Sequence, residues 1–514
     1  MPLSVCTPAC ASLVLVLQTA DTPAHPAYVV GGFVRDSILG RPCRDLDIAV
    51  KGKPFAVAQE VARALHGTFV PLDKEHSVAR VVLPADLTTD PQDTSTVVDF
   101  VGYEDDIRDD LSRRDFTINA IAVPAARVAA QLTSPTGASP GIAGDAVDPY
   151  GGLNDLAAGI LRASNPGVFE DDPGRLVRAV RLCHELAFTM DTATESLISA
   201  SCQRVHDVAG ERTREELLRL LSLPQAADSI HYLDRLGLLA PLFPELEECR
   251  DVEQPTCHFW DVLEHSIQTV ATFEYVAGES EWRHGNDEML GYVPDDPGCQ
   301  MHLEGTLSGG ASRGTLAKLA CLLHDVAKPQ TKTLDESGRA RFLGHATEGA
   351  IAARSILGRL RFSQKEIAYV EMLVHHHLRP AQLSNEGLPT ARAVYRFFRD
   401  TRGAGPGILY VAMADYLACR GPLFTMTEWQ NVCDLIGFIL AEHRRQEAVV
   451  APSRLIDGHE LMRSLGLRPG PAVGTLLEAI REAQAAGLVS SREEALQLAK
   501  MTLEREHGTV RTAK

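Results

Sequence analysis

Two aspartates separated by one residue are the first feature of this sequence that could perform chemistry. Asp45 and Asp47 lie at the start of an apolar, strand-like stretch, and alternate residues of a strand point to the same face. Their carboxylates would therefore converge and repel each other unless a divalent cation lay between them. Carboxylates of this kind hold the Mg²⁺ ions of two-metal phosphoryl transfer. We therefore expect Asp45 and Asp47 to be catalytic magnesium ligands.

A pair of glycines precedes these aspartates. The apolar run at residues 28–30 predicts a strand that ends at Gly31 and Gly32, and a helical pattern containing Arg35 follows. Glycine lets a backbone approach a phosphate closely, and the N–H groups at the start of a helix attract anions. We expect Gly32 and Arg35 to bind nucleotide phosphates, with Arg35 acting through its bidentate guanidinium.

The order of these features, G-G-x-V-R-D and then D-x-D, resembles the signature of a known family. That family comprises the class II tRNA nucleotidyltransferases (CCA-adding) and the bacterial poly(A) polymerases. A later stretch, RRDFTINA at residues 113–120, resembles its second motif. The resemblance implies that Arg114 contacts the nucleotide phosphates and that Asp115 fixes a helix or the sugar. Asp99, on a further predicted strand, is either a third carboxylate of the site or an ordinary exposed acid.

A third stretch carries several arginines at helical spacing. Asp172 followed by Pro173 predicts that a helix begins here with Asp172 as its N-cap. Arg175, Arg178 and Arg181 then recur every three residues, so they share one helix face. The sequence offers no acidic partner for them on that face. Such a stripe is more than a solvated surface requires.

This stretch also resembles the nucleotide-selecting E-D-x-x-R motif of the same family, with Asp171 in place of the usual Glu. Asp172 and Arg175 together offer a hydrogen-bond acceptor and a planar donor fork. Cytosine and adenine both present an exocyclic amino donor beside a ring-nitrogen acceptor, whereas guanine and uracil reverse that order. The pair can therefore select C and A without a template. Arg178 and Arg181 would then contact the triphosphate or the primer.

Histidines become frequent after about residue 250. Imidazole and carboxylate ligands on separate helices can enclose one or two divalent metals. The order H…HD…H…H…D resembles the HD phosphohydrolase superfamily, which implies a second divalent metal (Mn, Ni, Zn or Mg) in this part of the chain. The candidate ligands are His265, His324, Asp325 and Asp415, with His345 and His377 as further candidates.

Composition indicates an ordinary globular protein of 514 residues with a net charge of −18. The negative charge does not favour nucleic-acid binding, so an RNA partner would have to be held by local basic clusters. The chain has 11 cysteines and no C-x-x-C pair, which fits free thiols in a reducing cytoplasm. The apolar run at residues 11–17 is too short to cross a membrane and is expected to pack on the first domain. We expect a cytoplasmic protein without a membrane partner.

These sites require an α+β fold: a small mixed β-sheet head, followed by an all-α neck, HD body and C-terminal arm. Residues 124–147 and 276–314 are expected to be irregular loops, and residues 88–95 a hairpin loop. The predicted domains are a nucleotidyltransferase head at 1–147, a helical neck at 148–250, an HD-type domain at 251–425 and a helical arm at 426–514.

The family resemblance implies an enzyme that adds C and/or A residues from CTP and ATP to the 3′ end of tRNA. A CC-only or A-only specialist and a poly(A) polymerase remain open alternatives. A hypothesis of another class makes the HD site the main activity. The protein would then remove 2′,3′-cyclic phosphate or 2′-phosphate from RNA ends and use the head for binding. A third hypothesis is an RNA-binding protein with a silent head, which the Asp45 and Asp47 pair argues against.

Overall fold

The computed structural model divides into two compact units. The first comprises Met1–Val208 with Leu236–Leu238, and the second comprises Ala209–Arg235 with Leu239–Lys514. Either unit can contain more than one domain, so the four-domain division stays a prediction. The hairpin loop expected at 88–95 lies outside the described residues. The structure describes residues 8–43, 45–73, 77–84, 97–133, 142–255, 257–384, 387–450 and 455–511.

A six-stranded mixed sheet is the centre of the first unit. Its strands are β1 (Ala27–Val30), β2 (Leu46–Lys51), β3 (Thr68–Asp73), β4 (Val78–Val82), β5 (Val97–Tyr103) and β6 (Ala122–Pro124). They lie in the order β3-β4-β5-β2-β1-β6. The β2–β5 pair is parallel and the other pairs are antiparallel. The register places Asp47 beside Val30 on one side and Asp99 on the other. The predicted mixed sheet is confirmed.

Helices cover this sheet and continue beyond it. The helices of the first unit are α1 (Pro8–Ala20), α2 (Gly32–Leu39), α3 (Pro54–Ala64), α4 (Ile107–Ser112), α5 (Ala125–Thr133), α6 (Gly152–Ala158), α7 (Val168–Asp171), α8 (Arg175–Leu186) and α9 (Thr192–Ser201). The early apolar run is α1, which packs on α3 and α5 and buries Val16 and Leu17 completely. A two-stranded parallel ribbon joins β7 (Ile160–Leu161) to β8 (Thr189–Met190).

The expectation of an irregular loop across 124–147 is wrong for its first part, which forms α5. The alanine-rich composition suggested a loop, but Ala125, Val128 and Leu132 share one face and are buried. Tertiary packing of this face decides the conformation, since small residues carry little signal of their own.

In its described residues, the second unit is helical apart from one antiparallel hairpin, β9 (Lys332–Leu334) with β10 (Ala340–Phe342). Its helices are α10 (Gly210–Leu221), α11 (Ala226–Arg235), α12 (Leu239–Leu242), α13 (Pro244–Glu247), α14 (Val262–Val276), α15 (Asp287–Leu290), α16 (Pro297–Glu304), α17 (Arg313–Leu323), α18 (Lys328–Thr331), α19 (His345–Arg359), α20 (Gln364–His376), α21 (Arg379–Gln382), α22 (Ala391–Asp400), α23 (Gly405–Arg420), α24 (Met426–Val450), α25 (Gly458–Leu465), α26 (Pro471–Ala485) and α27 (Arg492–Arg511).

Two further features of this unit differ from or refine the expectations. The segment 276–314 is not an irregular loop, because it contains α15 and α16, which bury Met289 and Cys299. Helices α25 to α27 enclose a small core of their own, centred on Leu461, Leu476 and Ala495. None of the helices in the described part of the chain combines the length and apolar character needed to cross a bilayer.

A buried lysine connects three helical segments of the second unit. Lys318 on α17 is 1% exposed, and its Nζ lies 2.9 Å from Glu274 Oε1 and 2.6 Å from Glu279 Oε2. The same ammonium donates to the Leu223 carbonyl at 3.0 Å, and Glu274 Oε1 accepts from the Ala226 N–H at 2.8 Å. Burial raises the pKa of Glu274 although Lys318 opposes that shift. The carboxylate therefore depends on Lys318 for its charge.

The substitution Lys318→Met should destabilise the second unit strongly. It keeps the length of the side chain but leaves Glu274 buried without its cation, which costs about 3–5 kcal/mol. Urea denaturation followed by circular dichroism would measure the free energy of unfolding. The control Arg219→Met removes the exposed ion pair with Glu215 and should cost less than about 1 kcal/mol. Equal effects of the two substitutions would contradict the buried linkage.

Candidate functional site

Asp45 and Asp47 lie where β2 begins. The strand starts at Leu46, so Asp45 precedes it and is exposed, whereas Asp47 is half-buried. Burial raises the pKa of Asp47; Arg114 opposes this shift, and the charges of Asp99 and Asp45 add to it. Asp45, Asp47 and Asp99 thus form a cluster of hard oxygen donors. This donor set fits a divalent cation such as Mg²⁺.

Asp99 is neither a free third carboxylate nor an ordinary exposed acid. It lies beside Asp47 in the parallel β2–β5 register. Arg80 on β4 donates from Nε to Asp99 Oδ1 and from Nη2 to Asp99 Oδ2, both at 2.8 Å. The bidentate pair neutralises Asp99 and places a cation at the edge of the aspartate cluster.

The glycine that meets the carboxylates is Gly31, although the sequence pattern singled out Gly32. Gly31 has φ 72° and ψ −141°, a conformation open to glycine only. A Cβ on Gly31 would lie 2.8 Å from Asp47 Oδ2 and 2.9 Å from Arg114 Nη1. A Cβ on Gly32 would meet only Arg35 Nη2, at 3.5 Å. The position of Gly31 directly after β1 was the available signal, but its backbone angle could not be read from sequence.

Arg35 makes its described contacts within the protein. Its guanidinium is buried and donates to Asp36 Oδ1 at 2.9 Å, to Asp36 Oδ2 at 2.8 Å and to Asn119 Oδ1 at 2.9 Å. These bonds join α2 to the turn that carries the second motif. The phosphate-binding role of Arg35 stays a prediction, whereas its positioning contacts are in place.

Asp115 connects that turn to α8. Its carboxylate is buried and accepts from the Phe116 N–H at 2.8 Å, from Asn119 Nδ2 at 2.9 Å and from Arg178 Nε at 2.8 Å. Burial alone would raise the pKa of Asp115, but the Arg178 charge and these hydrogen bonds hold it below its usual value. Asn119, which sequence reasoning used only as a motif letter, is the link between Arg35 and Asp115.

The start of α8 differs from the prediction. Asp172 does not cap this helix, because Pro173 and Gly174 form a turn and α8 begins at Arg175 with Gly174 as the N-cap. Asp172 Oδ1 instead accepts from the Gly174 N–H at 3.1 Å. Asp172 Oδ2 lies 3.8 Å from Arg175 Nε, so the two candidate base-selecting side chains are neighbours.

The arginine stripe of α8 has acidic partners, contrary to expectation. The acidic partner of Arg178 comes from another element and was not apparent from helical spacing. Glu185, four residues after Arg181, lies on the same helix face and could have been found from the spacing. Arg181 is also buried, at 4% exposure. The pairs are Arg175 with Asp172, Arg178 with Asp115, and Arg181 with Glu185.

Six predicted HD residues come together in the second unit. All except half-buried Asp415 are buried. His265 Nε2 lies 3.1 Å from His324 Nε2, 3.2 Å from Asp325 Oδ2 and 3.1 Å from Asp415 Oδ1. Ligand atoms within 4.8 Å of one another form the sets His265–His324–Asp325, His324–His377–Asp415 and Asp325–His345–His377.

Backbone carbonyls fix three of these imidazoles. The Nδ1 atoms of His324, His345 and His377 lie 2.7, 2.6 and 2.7 Å from the carbonyls of the residues three positions earlier. This contact directs each Nε2 inward, as outer-shell bonds do for metal-binding histidines. His345 Nε2 is buried without a hydrogen bond. Convergent, unsatisfied imidazole and carboxylate atoms fit one or two divalent metals.

Sequence reasoning missed Lys328, which stands three residues after Asp325 in the same motif. Its Nζ lies 2.5 Å from Asp325 Oδ2, and it also donates to Gln254 Oε1 at 2.6 Å. A cavity of about 600 Å³ opens over the cluster, and Lys328, Arg339 and Arg379 contribute to its lining. Basic side chains beside a candidate metal cluster suit an anionic ligand.

Comparison with known proteins agrees with this arrangement. Residues 27–162 match the family model described as the poly A polymerase head domain. Residues 187–250 match the model described as a probable RNA and SrmB-binding site of polymerase A, and residues 262–418 match the HD domain.

Relatives extend the similarity over nearly the whole chain. An A-adding tRNA nucleotidyltransferase of Deinococcus radiodurans is 32% identical over 475 residues, covering 91% of this chain and 94% of the relative. A CC-adding tRNA nucleotidyltransferase of Thermus thermophilus is 32% identical over 478 residues, covering 91% and 92%. The Thermotoga maritima CCA-adding enzyme complexed with tRNA has the same fold, with a TM-score of 0.58, 21% identity and coverage of 96% and 94%. The chain therefore belongs to the family of tRNA nucleotidyltransferases and poly(A) polymerases.

Proposed function

We propose that this protein adds C and/or A residues from CTP and ATP to the 3′ end of tRNA and releases pyrophosphate. The observation that carries the proposal is the convergence of Asp47, Gly31 and Arg114 at the end of β1. A bound triphosphate needs a cation to neutralise its charge, a backbone that it can approach closely, and a hydrogen-bond donor. The carboxylate of Asp47, the Cβ-free backbone of Gly31 and the guanidinium of Arg114 would meet these needs in turn. Family membership supplies the reaction class.

Different residues of the head would hold the metal ion and contact the phosphates during phosphoryl transfer. Asp45 and Asp47 would hold Mg²⁺, which supplies Lewis-acid neutralisation of the triphosphate and activation of the primer 3′-hydroxyl. Arg114 and Arg178 would contact phosphate oxygens, and the absence of a Cβ on Gly31 would leave room for these oxygens. The hydroxyl attacks the α-phosphorus in line, and the bond to pyrophosphate breaks.

Base selection is assigned to Asp172 and Arg175. Their proximity supports the assignment, because one acceptor and one donor fork can face a single base edge. Arg175 Nη2 donates to the Arg113 carbonyl at 2.8 Å and its Nη1 to the Val168 carbonyl at 3.2 Å. These bonds hold the guanidinium of Arg175 in one orientation. A guanidinium that cannot turn favours a base whose hydrogen-bonding groups match that orientation.

The partners in this proposal are tRNA, CTP and ATP, and its compartment is the cytoplasm. The nine cysteines whose side chains the structure describes are free thiols, as is usual in a reducing compartment. The two relatives named above are equally identical to the chain and add different nucleotides. Overall sequence identity therefore does not distinguish CC addition, A addition and full CCA addition. A nucleotide-incorporation assay distinguishes them.

A second candidate activity is supported by the HD cluster. Its six convergent ligand atoms and the basic cavity above them suit a phosphohydrolase acting on 2′,3′-cyclic phosphate or 2′-phosphate at RNA ends. The histidine and carboxylate set would hold a divalent metal (Mn, Ni, Zn or Mg), which supplies Lewis-acid activation of the phosphate. Lys328 and Arg339 would bind the anion.

Incorporation assays test the main proposal. Purified protein, Mg²⁺ and CTP and ATP, singly and together, are given tRNA ending at the discriminator base, at C or at CC. Growth by three nucleotides means CCA addition, growth confined to C or to A means a specialist, and long A tails mean a poly(A) polymerase. We expect Asp47→Asn to lower incorporation at least roughly 10³-fold, because metal neutralisation supplies several kcal/mol.

The matched control for that substitution is Asp109→Asn, which changes an exposed acid on the first turn of α4. It should leave incorporation within about twofold, since it removes no contact of the site. Absence of incorporation on every primer, or full activity of Asp47→Asn, would contradict the proposed function of the head.

The two adjacent glycines should respond differently to alanine. Gly31→Ala forces a strained backbone and a Cβ against Asp47 and Arg114, so we expect incorporation to fall by roughly 10²-fold or more. Gly32→Ala meets only ordinary contacts and should retain most activity, because its Cβ finds Arg35 at 3.5 Å. Steady-state incorporation measures both, with circular dichroism to verify folding. Equal loss from the two variants would contradict the proposed role of Gly31.

Asp325→Asn tests the second activity separately. It removes a charge shared by the HD cluster, so hydrolysis of 2′,3′-cyclic nucleotides should fall at least roughly 10²-fold because metal binding is weakened. Nucleotide incorporation by this variant should be unchanged, and Asp47→Asn should conversely retain hydrolysis. A wild-type protein that hydrolyses no such substrate with Mn²⁺, Ni²⁺, Zn²⁺ or Mg²⁺ would exclude this second activity.

A further inference from the structure

Two cysteines and a histidine meet beside the HD cluster without belonging to it. Cys257, His258 and Cys419, here called the cysteine–histidine cluster, each offer a ligand atom within 4.8 Å of the others. All three residues are half-buried. Cys257 Sγ lies 3.2 Å from His258 Nδ1. The proposed transfer and hydrolysis reactions use none of these side chains.

The spacing of these atoms is close to that of ligands around one ion. Two ligands of a tetrahedral zinc ion lie about 3.5 to 3.8 Å apart, given the Zn–S and Zn–N bond lengths. The observed 3.2 Å between Cys257 Sγ and His258 Nδ1 is a few tenths of an ångström shorter. A small opening of the pair would admit an ion.

Backbone contacts hold the cluster in place. The Phe259 N–H donates to the Cys419 carbonyl at 2.9 Å, and Cys419 Sγ donates to the Cys257 carbonyl at 3.3 Å. A Cβ on Gly421 would lie 3.1 Å from both Phe259 Cβ and Trp260 Nε1, so the segment packs closely on the end of α23. The ligands are thus presented by fixed backbone, which lowers the ordering cost of binding.

The donor set decides the kind of ion. Thiolate and imidazole ligands select zinc and similar soft or borderline metals, whereas the carboxylates of the head suit magnesium. The HD cluster contains no thiol among its six residues. The two sites of the second unit therefore differ in their chemistry as well as in their residues.

We propose that Cys257, His258 and Cys419 bind one zinc-class divalent ion through two thiolates and one imidazole, with a fourth position open to water. Binding releases the two thiol protons to solvent. The ion ties the segment before α14 to the end of α23. These helices carry His265 and Asp415, and the His258 ring packs edge-on against His265 with centroids 5.5 Å apart. The bound ion therefore stabilises the positions of α14 and α23, the helices that carry these two HD ligands.

Cobalt substitution tests this proposal on the full-length protein. Co²⁺ bound by thiolates gives an intense near-ultraviolet charge-transfer absorption, which the imidazoles and carboxylates of the HD cluster cannot produce. We expect wild-type protein to develop this band with about one equivalent of Co²⁺ and to lose it when Zn²⁺ displaces the cobalt. Titration of the wild type alone is decisive, because it requires no variant to fold. Absence of the band would overturn the proposal.

Variants then locate the site. The double variant Cys257→Ser/Cys419→Ser should lack the band and bind about one fewer zinc per chain by elemental analysis. Two variants should keep the band: Cys202→Ser, which changes a half-buried thiol of the other unit, and Asp325→Asn in the HD cluster. A band that survives in the double variant would overturn the proposal. A Cys257–Cys419 disulfide in protein isolated without reductant, with no band after reduction, would also overturn it.

Discussion

One buried carboxylate connects the elements of the first unit that are proposed to bind the nucleotide. Asp115 accepts three hydrogen bonds, and one of them comes from Arg178 on α8. Through Asn119 the same network reaches Arg35 and hence α2. Arg35, Asn119 and Asp115 are buried and Arg178 is half-buried, and their hydrogen bonds fix the relative positions of the glycine turn and α8. Losing any member would leave a buried charge or dipole without a partner.

The sequence predicted the elements whose signals are local. The strand that carries Asp47 and the glycine turn before α2 follow from short patterns, although Asp45 lies just before that strand. The HD ligands are spread from His265 to Asp415, and their order along the chain was enough to predict that they come together. The pairing of Arg80 with Asp99 depends on the register of β4 against β5, which the sequence pattern did not specify. The pairing of Arg178 with Asp115 could not be predicted because 63 residues separate them. The alanine-rich α5 was missed for another reason, since its conformation follows from packing on α1.

The aspartates of the two candidate sites are balanced by different kinds of cationic side chain. In the first unit, Asp45, Asp47 and Asp99 are balanced by arginines, whose donors are rigid and always charged. In the second unit, Asp325 and Asp415 are balanced by imidazoles and by Lys328. Although burial opposes it, these neighbours keep the pKa of Asp325 well below its usual value. The donors of each cluster match the hardness of the ion that it would bind.

Arg114 and Asp47 both border the space left by Gly31, and the proximity of these two charges has a thermodynamic consequence. While its charge acts on Asp47, it weakens the attraction of that carboxylate for a cation. When the arginine binds a triphosphate instead, this competition is relieved. Cation and nucleotide should therefore each increase the affinity of the other, and linkage requires the two increases to be equal. The proximity of Arg114 to Asp47 would thus be enough to couple cation binding to nucleotide binding.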